Sequence, residues 1–172
     1  MAASPDGRHL FSAGRDRSLR IWGLPAGELL QAALAHDEEI LCLALSPDGK
    51  YALTGSRDQT LKLWRLDRLE SARSLKISPA NAMTVSPDGA LAAIGSDDAS
   101  RTIRVWSLDT GEPGERIPGH EHDLSALAFS PDKVRLAAGD AGGEIKLWSL
   151  ATGKPERTLK GHRDEVTSLS FS

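Results

Sequence analysis

Residues 40–64 have the sequence ILCLALSPDGKYALTGSRDQTLKLW. An apolar run at 40–46 ends in a Ser-Pro-Asp-Gly turn, 50–56 is predicted as a second short strand, and apolar residues alternate with others over 61–64. Serine first, proline second and glycine fourth are the residues that a type I turn prefers. Short alternating segments between turns predict the antiparallel strands of a β-meander, with a fourth and less clearly marked strand within 68–76.

This unit recurs at a fixed period along the 172 residues of the chain. Successive tryptophans are 42 residues apart, at Trp22, Trp64, Trp106 and Trp148. A constant period of roughly 40–45 residues is a signature of repeat architectures. The turns are SPDG at 4–7, 46–49 and 86–89 and SPDK at 130–133, and the third strands are LRIW (19–22), LKLW (61–64), IRVW (103–106) and IKLW (145–148). The pattern predicts an all-β repeat protein whose sheets bury their apolar faces against one another.

The composition is that of an ordinary globular chain, with 40% hydrophobic and 26% charged residues. No run approaches the roughly 18 apolar residues of a membrane helix, and the first residues show no signal-peptide pattern. A net charge of −3 argues against an electrostatic nucleic-acid binder. The single cysteine, Cys42, cannot form an intramolecular disulfide, so we expect a cytoplasmic location. From the missing membrane helix and the net charge, we expect neither a membrane nor a nucleic-acid partner.

With these motifs the chain resembles the WD-repeat (tryptophan–aspartate repeat) β-propellers. The resemblance covers essentially the whole chain and rests on a Gly-His type dipeptide, the Ser-Pro-Asp-Gly turn, a strand of small residues, an aspartate and the tryptophan. One departure is that no tryptophan is followed by aspartate, a position at which the family is tolerant; the residues there are Gly23, Arg65, Ser107 and Ser149. The resemblance implies four blades, each a sheet of four antiparallel strands.

The family also implies a hydrogen-bonded network inside each blade, from tryptophan to serine or threonine to histidine to aspartate. Buried indole, hydroxyl and imidazole groups each need partners, and a linked network satisfies all of them. In the second blade the matching residues are His36, Thr54, Asp58 and Trp64. The first blade supplies its hydroxyl, aspartate and tryptophan but no upstream histidine; these residues are Ser12, Asp16 and Trp22.

The missing histidine is predicted to come from the other end of the chain. Gly161-His162 opens a fifth copy of the unit that continues for one strand. His36 precedes Thr54 by 18 residues, and His162 precedes Ser12 by the same interval after a shift of four periods. Ser172 is then equivalent to Ser4. The resulting boundaries are 4–34 plus 162–172 for blade 1, 36–76 for blade 2, 77–118 for blade 3 and 119–160 for blade 4.

The third and fourth blades depart from the network. In the third, Trp106 remains, but Ile94 stands at the hydroxyl position and DDAS at 97–100 widens the turn by two residues. The fourth keeps Gly119-His120 and Trp148, whereas alanine (Ala138) replaces the hydroxyl and glycine (Gly142) replaces the aspartate. Since each lost hydrogen bond costs only about 1 kcal/mol net, these blades should still fold. We expect the first two blades to be the stiffer pair, because they keep more of the network.

Closure of the array has two solutions. An open array leaves unpaired sheet edges, which propellers remove by closing into a ring. One chain closes as a four-bladed ring, or two chains exchange their last strands and form an eight-bladed homodimer. We favour the homodimer, because the family's blades are wedges suited to seven or eight per ring and a two-fold assembly is closed. A third interpretation is a fragment of a longer propeller protein.

No pattern indicates catalysis, a cofactor or a metal. His120, His122 and Asp123 are too few and too scattered for a zinc pattern. Cys42 lies in an apolar strand without a basic neighbour, which favours a buried core thiol over a nucleophile. The histidine, serine and aspartate of each network support a tryptophan, and neither an oxyanion hole nor a phosphate-binding loop accompanies them.

One rim of the ring is the predicted partner surface, because the family binds partners where the histidine loops and aspartate turns meet. The residues expected there form a ring of mixed charge: Arg15, Arg57, Glu38, Glu39, His122, Asp123, Asp164 and Glu165. The leading hypothesis is a non-enzymatic scaffold that binds protein or peptide through this rim. The alternatives are a purely structural or engineered half-propeller module that self-assembles, and an enzyme that uses the central channel.

Overall fold

The computed structural model describes residues 1–46, 48–77, 80–96, 100–118 and 120–171. Within these ranges the secondary structure is entirely β, with sixteen strands in four antiparallel sheets of four. This confirms the predicted all-β class and the four repeated sheets. None of the described residues belongs to a helix long and apolar enough to cross a bilayer. Several predicted features lie outside the described residues: Pro47 of the second turn, 97–99 of the widened turn, Gly119 and Ser172.

The strands of every sheet follow one another in chain order. The first sheet contains β1 (Ala2–Ala3), β2 (His9–Ala13), β3 (Ser18–Gly23) and β4 (Glu28–Leu34). The second contains β5 (Ile40–Leu45), β6 (Tyr51–Ser56), β7 (Thr60–Arg65) and β8 (Glu70–Lys76). The strand β8 is the fourth strand expected within 68–76.

The third and fourth sheets repeat the same order. The third contains β9 (Ala80–Val85), β10 (Leu91–Ser96), β11 (Ile103–Ser107) and β12 (Pro113–Ile117). The fourth contains β13 (Leu124–Phe129), β14 (Arg135–Asp140), β15 (Glu144–Ser149) and β16 (Pro155–Lys160). Each third strand ends at or next to its tryptophan.

The first sheet starts two residues before its predicted boundary at residue 4. Ala2 and Ala3 pair with Phe11 and Leu10 and so form the edge strand beside β2. Residues 161–171 form no strand. The assignment of 162–172 to the first sheet stays a prediction, because it requires this segment to replace Ala2–Ala3 at that edge.

The serine-initiated turns tie the first and second strands of every sheet together. The residue at the fourth position donates its amide to the serine carbonyl at 2.9–3.0 Å, as a hydrogen-bonded β-turn requires. The serine hydroxyl in turn accepts the amide five residues later at 2.9 Å. The four serines are buried at Ser4, Ser46, Ser86 and Ser130. The turn motif therefore fixes where the second strand begins.

The chain divides into two compact units, Met1–Ala80 and Asn81–Ser172. In the first unit, Phe11, Leu19 and Ile21 pack with Ile40 and Trp64 around one apolar core. The second unit has its own core, built around Ile103, Leu124, Phe129, Leu136 and Trp148. Each core lies between two neighbouring sheets, as expected for sheets that cannot bury an apolar face alone.

Candidate functional site

The predicted polar network is fully formed in the second sheet. Trp64 Nε1 donates to Thr54 Oγ1 at 2.9 Å, and Thr54 Oγ1 lies 2.7 Å from His36 Nε2. His36 Nδ1 lies 2.9 Å from Asp58 Oδ2. Because an ionised carboxylate only accepts, Nδ1 carries the imidazole proton and Nε2 accepts the threonine hydroxyl. The chain of bonds ties the loop before β5 to β6 and β7.

The Asp58 carboxylate is held by more donors than the network alone supplies. Thr60 Oγ1 donates to Oδ1 at 2.6 Å, and the amide of Asp37 donates to Oδ2 at 3.0 Å. Burial of this carboxylate opposes its ionisation, but these bonds and the one from His36 outweigh it and lower the pKa of Asp58 to about 2. Burial is also the main reason that the pKa of His36 lies below its ordinary value. The pair is therefore a neutral histidine beside an ionised aspartate at neutral pH.

The first sheet contains part of the network. Trp22 Nε1 donates to Ser12 Oγ at 2.8 Å. Asp16 pairs with Arg20 at 2.6 Å across the turn and accepts the amide of Ser18. The predicted histidine, His162, lies within 161–171 of the other unit, where its carbonyl packs against Gly143. Its contact with Ser12 stays a prediction.

The fourth sheet retains a carboxylate that the sequence analysis missed. His120 Nδ1 lies 2.9 Å from Asp140 Oδ2, and both side chains are fully buried. Asp140 Oδ1 accepts the amides of Gly142 and Glu144 at 3.0 and 2.9 Å. The expectation that Gly142 removes the aspartate from this sheet is wrong, because Asp140, two residues earlier at the end of β14, reaches the histidine. An acidic residue at the end of an otherwise apolar strand was the available signal.

The loss of the hydroxyl in the fourth sheet is confirmed. Ala138 occupies the position of Thr54 and is fully buried. Among the described residues, His120 Nε2 and Trp148 Nε1 are buried atoms without a hydrogen-bond partner. In the third sheet, the buried Ile94 stands at the same position, and Arg104 lies 5.9 Å from the ring centre of Trp106.

The metal hypothesis is not favoured by the side chains that the structure brings together. Among the described residues, the group with a metal-like spacing is His120, Asp140 and Glu144, with ligand atoms within 4.8 Å. Glu144 is already paired with Lys146 at 3.0 Å and Lys160 at 3.3 Å. Two ammonium groups on one of three ligands oppose a divalent cation.

Cys42 is a poor nucleophile, as the sequence predicts, although it is not the fully buried core thiol that was expected. The residue is half-buried, and its sulfur lies 3.5 Å from the carbonyl of Ala80 and 3.9 Å from that of Gly55. Burial raises the pKa of the thiol to about 12. Because only the thiolate is a strong nucleophile, this thiol is inert at neutral pH.

The predicted rim residues of the first unit form a cluster around one glutamate. Arg15 Nε lies 3.4 Å from Glu39 Oε2, and Arg57 Nε lies 3.2 Å from Glu39 Oε1. The arginines follow β2 and β6, and Glu39 directly precedes β5. Glu38 beside it is exposed, and its carbonyl accepts the hydroxyl of Ser56 at 3.2 Å. We call Arg15, Glu39 and Arg57 the arginine cluster.

The rim residues of the second unit have other partners. Asp123 pairs with Arg101 at 3.1 Å, and Arg101 also donates to the carbonyl of Glu121. Arg101 was missed because the turn that carries it departs from the repeat. The amide of Glu165 donates to Asp164 at 2.8 Å, and the ring of His122 packs against Gly142.

Comparison with known families agrees with this architecture. A family model described as "WD domain, G-beta repeat" matches residues 1–23, 27–65, 73–107, 111–149 and 153–172. The five matched segments cover most of the chain, and the first four each end at or just after a repeat tryptophan.

Proposed function

Because the chain belongs to the WD40 repeat family, we propose that it is a non-enzymatic scaffold that binds a protein or peptide partner through its propeller rim. WD40 domains generally mediate protein–protein interactions, and proteins of the family are typically scaffolds without enzymatic activity. A cytoplasmic location is part of the proposal. The observation that supports partner binding at the rim is the arginine cluster.

The arginine cluster has the properties of a binding surface for an acidic partner. The side chain of Arg15 is 93% exposed, and both arginines share the single carboxylate of Glu39. Exposed ion pairs of this kind contribute about 0–1 kcal/mol, so a carboxylate from a partner can replace Glu39 at little cost. The rim around the cluster has mixed charge, and the two guanidinium groups are the sites at which an acidic side chain of a partner would bind.

The test is a pull-down with the double variant Arg15→Glu, Arg57→Glu. We expect it to lose the partners that the unmodified chain captures. The matched control is Arg8→Glu, Arg68→Glu, which changes the net charge equally at two exposed arginines of the same unit that lie outside the cluster. Capture that survives in the rim variant, or is lost equally in the control, would contradict this surface.

A second function, self-assembly into a closed propeller, is favoured by one repeated hydrogen bond. The amide of Ile40, at the start of β5, donates to the carbonyl of Gly14 at 3.2 Å. Three periods later, the amide of Val166 donates to the carbonyl of Asp140 at 3.1 Å. Residues 161–171 therefore lie against the fourth sheet as the first strand of a further blade would. We propose that this segment pairs with β2 of a second copy and displaces the two-residue strand Ala2–Ala3.

Light scattering tests the assembly. We expect a homodimer, twice the 18.4 kDa of one chain, and a monomer after deletion of 162–172. A stable monomer of the full chain would contradict the dimer, and a dimer that persists after the deletion would contradict strand exchange. In either of those cases, the propeller rim remains testable by the pull-down.

A further inference from the structure

An apolar groove opens between the first and second sheets, inside the unit Met1–Ala80. Its volume is about 490 Å³, and its floor consists of the buried side chains of Phe11, Ile21 and Leu66. The side chains of Leu30 from β4 and Tyr51 from β6 also line it. This size lies in the range of about 300–1,000 Å³ that is usual for ligand sites.

Leu30 and Tyr51 are exposed, although leucine and tyrosine have large apolar or aromatic side chains. Leu30 is 45% exposed and Tyr51 is 38% exposed. Single exposed apolar side chains are common, but here two lie over a buried apolar floor. The groove thus exposes part of the apolar core of this unit, with the polar side chains of His9 and Gln31 also in its lining.

The repeat itself provides an internal comparison for these positions. In the third sheet, Gly114 corresponds to Leu30, because each follows the strand partner of the repeat tryptophan. In the fourth sheet, Arg135 corresponds to Tyr51, because each pairs with the residue after the tryptophan. Arg135 makes an ion pair with Glu156 at 2.7 Å. Since the same fold accommodates glycine and a paired arginine there, neither Leu30 nor Tyr51 is needed to build the blades.

Charged side chains line the groove as well: Lys50, Arg65 and the carboxylate Asp67. Lys50 precedes Tyr51, and Arg65 pairs with Tyr51 across the strands. Arg65 is already held by Asp67 through two hydrogen bonds of 3.0 and 3.3 Å. The side chain of Lys50 is 75% exposed and lies 3.7 Å from Asp48, a distance too long for a strong hydrogen bond. Lys50 is therefore the cation that is available to an incoming carboxylate.

We propose that this groove binds a short peptide segment of a partner protein that carries an aliphatic or aromatic side chain next to an acidic residue. The apolar side chain packs on Phe11, Ile21 and Leu66 between Leu30 and Tyr51, and the carboxylate pairs with Lys50. The groove lies at the start of β2 and β6, whereas Arg15 and Arg57 follow the ends of these strands. The proposal therefore concerns a different surface from the rim and does not depend on it.

The test begins with selection of a phage-displayed library of random twelve-residue peptides on the full chain. We expect enrichment of sequences in which a leucine or an aromatic residue stands next to aspartate or glutamate. The most enriched peptide, labelled with fluorescein, then serves as the probe in fluorescence polarisation. Replacing its apolar residue by alanine, or its acidic residue by lysine, should weaken binding about tenfold each.

Variants of the chain locate the bound peptide. Leu30→Ser and Tyr51→Arg should each weaken the probe about tenfold, and Leu34→Ser, a 68% exposed leucine on the same strand outside the groove, should leave it unchanged. Circular dichroism and Tm show that each variant is folded. The proposal is overturned if the selected peptides lack the apolar–acidic pair, or if Leu30→Ser and Tyr51→Arg leave binding of the probe intact. It is also overturned if Leu30→Ser changes only the molecular mass in solution, which would assign the groove to a second copy of the chain.

Discussion

At the scale of single residues, one position separates the networks of the second and fourth sheets. His36 and His120 share the hydrogen bond from Nδ1 to a carboxylate, both at 2.9 Å. They differ at Nε2, where Thr54 bridges to Trp64 in the second sheet and Ala138 provides no hydroxyl in the fourth. In the fourth sheet, Trp148 is therefore not hydrogen-bonded to the His120–Asp140 pair, because one hydroxyl group is missing.

Ala138→Ser should restore the bridge and stabilise the chain. The hydroxyl would accept from Trp148 Nε1 and donate to His120 Nε2, both now unpartnered, for a gain of about 1 kcal/mol. The reverse change in the second sheet, Thr54→Ala, should cost about 1–3 kcal/mol, because it leaves Trp64 Nε1 and His36 Nε2 without this partner. Chemical denaturation of both variants measures the two free energies. A serine variant less stable than the parent would contradict the prediction.

The buried histidine–aspartate pairs predict a loss of stability in acid. The pKa values of His36, His120 and Asp58 are all lower in the folded chain than their ordinary values. Below each ordinary pKa the group is protonated in the unfolded chain but still deprotonated in the folded chain, so the free energy of unfolding decreases. Stability should fall as the pH drops below about 6.5 because of the histidines, and again below about 4 because of Asp58 and other carboxylates with a lowered pKa, such as Asp140.

Unfolding by urea at a series of pH values measures this dependence. Asp58 should contribute about 2 kcal/mol to the second decline, which should therefore be smaller in Asp58→Asn, a variant with no carboxyl group to titrate at this position. A decline between pH 4 and 2 that is equal in the parent and in Asp58→Asn would show that other carboxylates cause it.

At the scale of strands, a repeated glycine allows the next sheet to approach. A Cβ atom on Gly95 would lie 2.9 Å from Cβ of Leu124, the first residue of β13. A Cβ atom on Gly139 would lie 2.7 Å from Cγ1 of Val166. Val166, which is buried, therefore occupies against the fourth sheet the place that Leu124 occupies against the third.

The variants Gly139→Ala and Gly95→Ala should differ in what they disturb. Gly95→Ala forces apart two sheets of the second unit and should destabilise it by about 1–3 kcal/mol. Gly139→Ala should instead release residues 161–171, because this segment forms no strand in the single chain. Hydrogen exchange at the amide of Val166, now bonded to Asp140, should then accelerate while the amides of β14 and β15 stay protected. Equal acceleration throughout the fourth sheet would contradict this difference.

At the scale of the whole molecule, strand exchange predicts a coupling between residues that lie far apart in the sequence. If 162–172 completes the first sheet of a second copy, His162 lies within hydrogen-bond distance of that copy's Ser12. The variants His162→Ala and Ser12→Ala should then be non-additive in dimer stability, by about 0.5–3 kcal/mol. The control cycle is His36→Ala with Thr54→Ala, whose side chains lie 2.7 Å apart. Additive effects in the first cycle alone would exclude the contact.

The repeat and its four turns follow from the sequence alone, and the resemblance to the WD-repeat family predicted the complete network of the second sheet. The resemblance assigned Trp64, Thr54, His36 and Asp58 to one network, and the structure joins them. The turns were predictable because local hydrogen bonds hold the same turn in every sheet. The places where departures from the repeat are compensated became visible only in the packed sheets. Asp140 reaches His120 from two residues outside the expected register, and Leu30 and Tyr51 line one groove from two different sheets. The physical reason is that such contacts depend on side-chain reach and on the spacing of packed sheets, which no periodicity along the chain records.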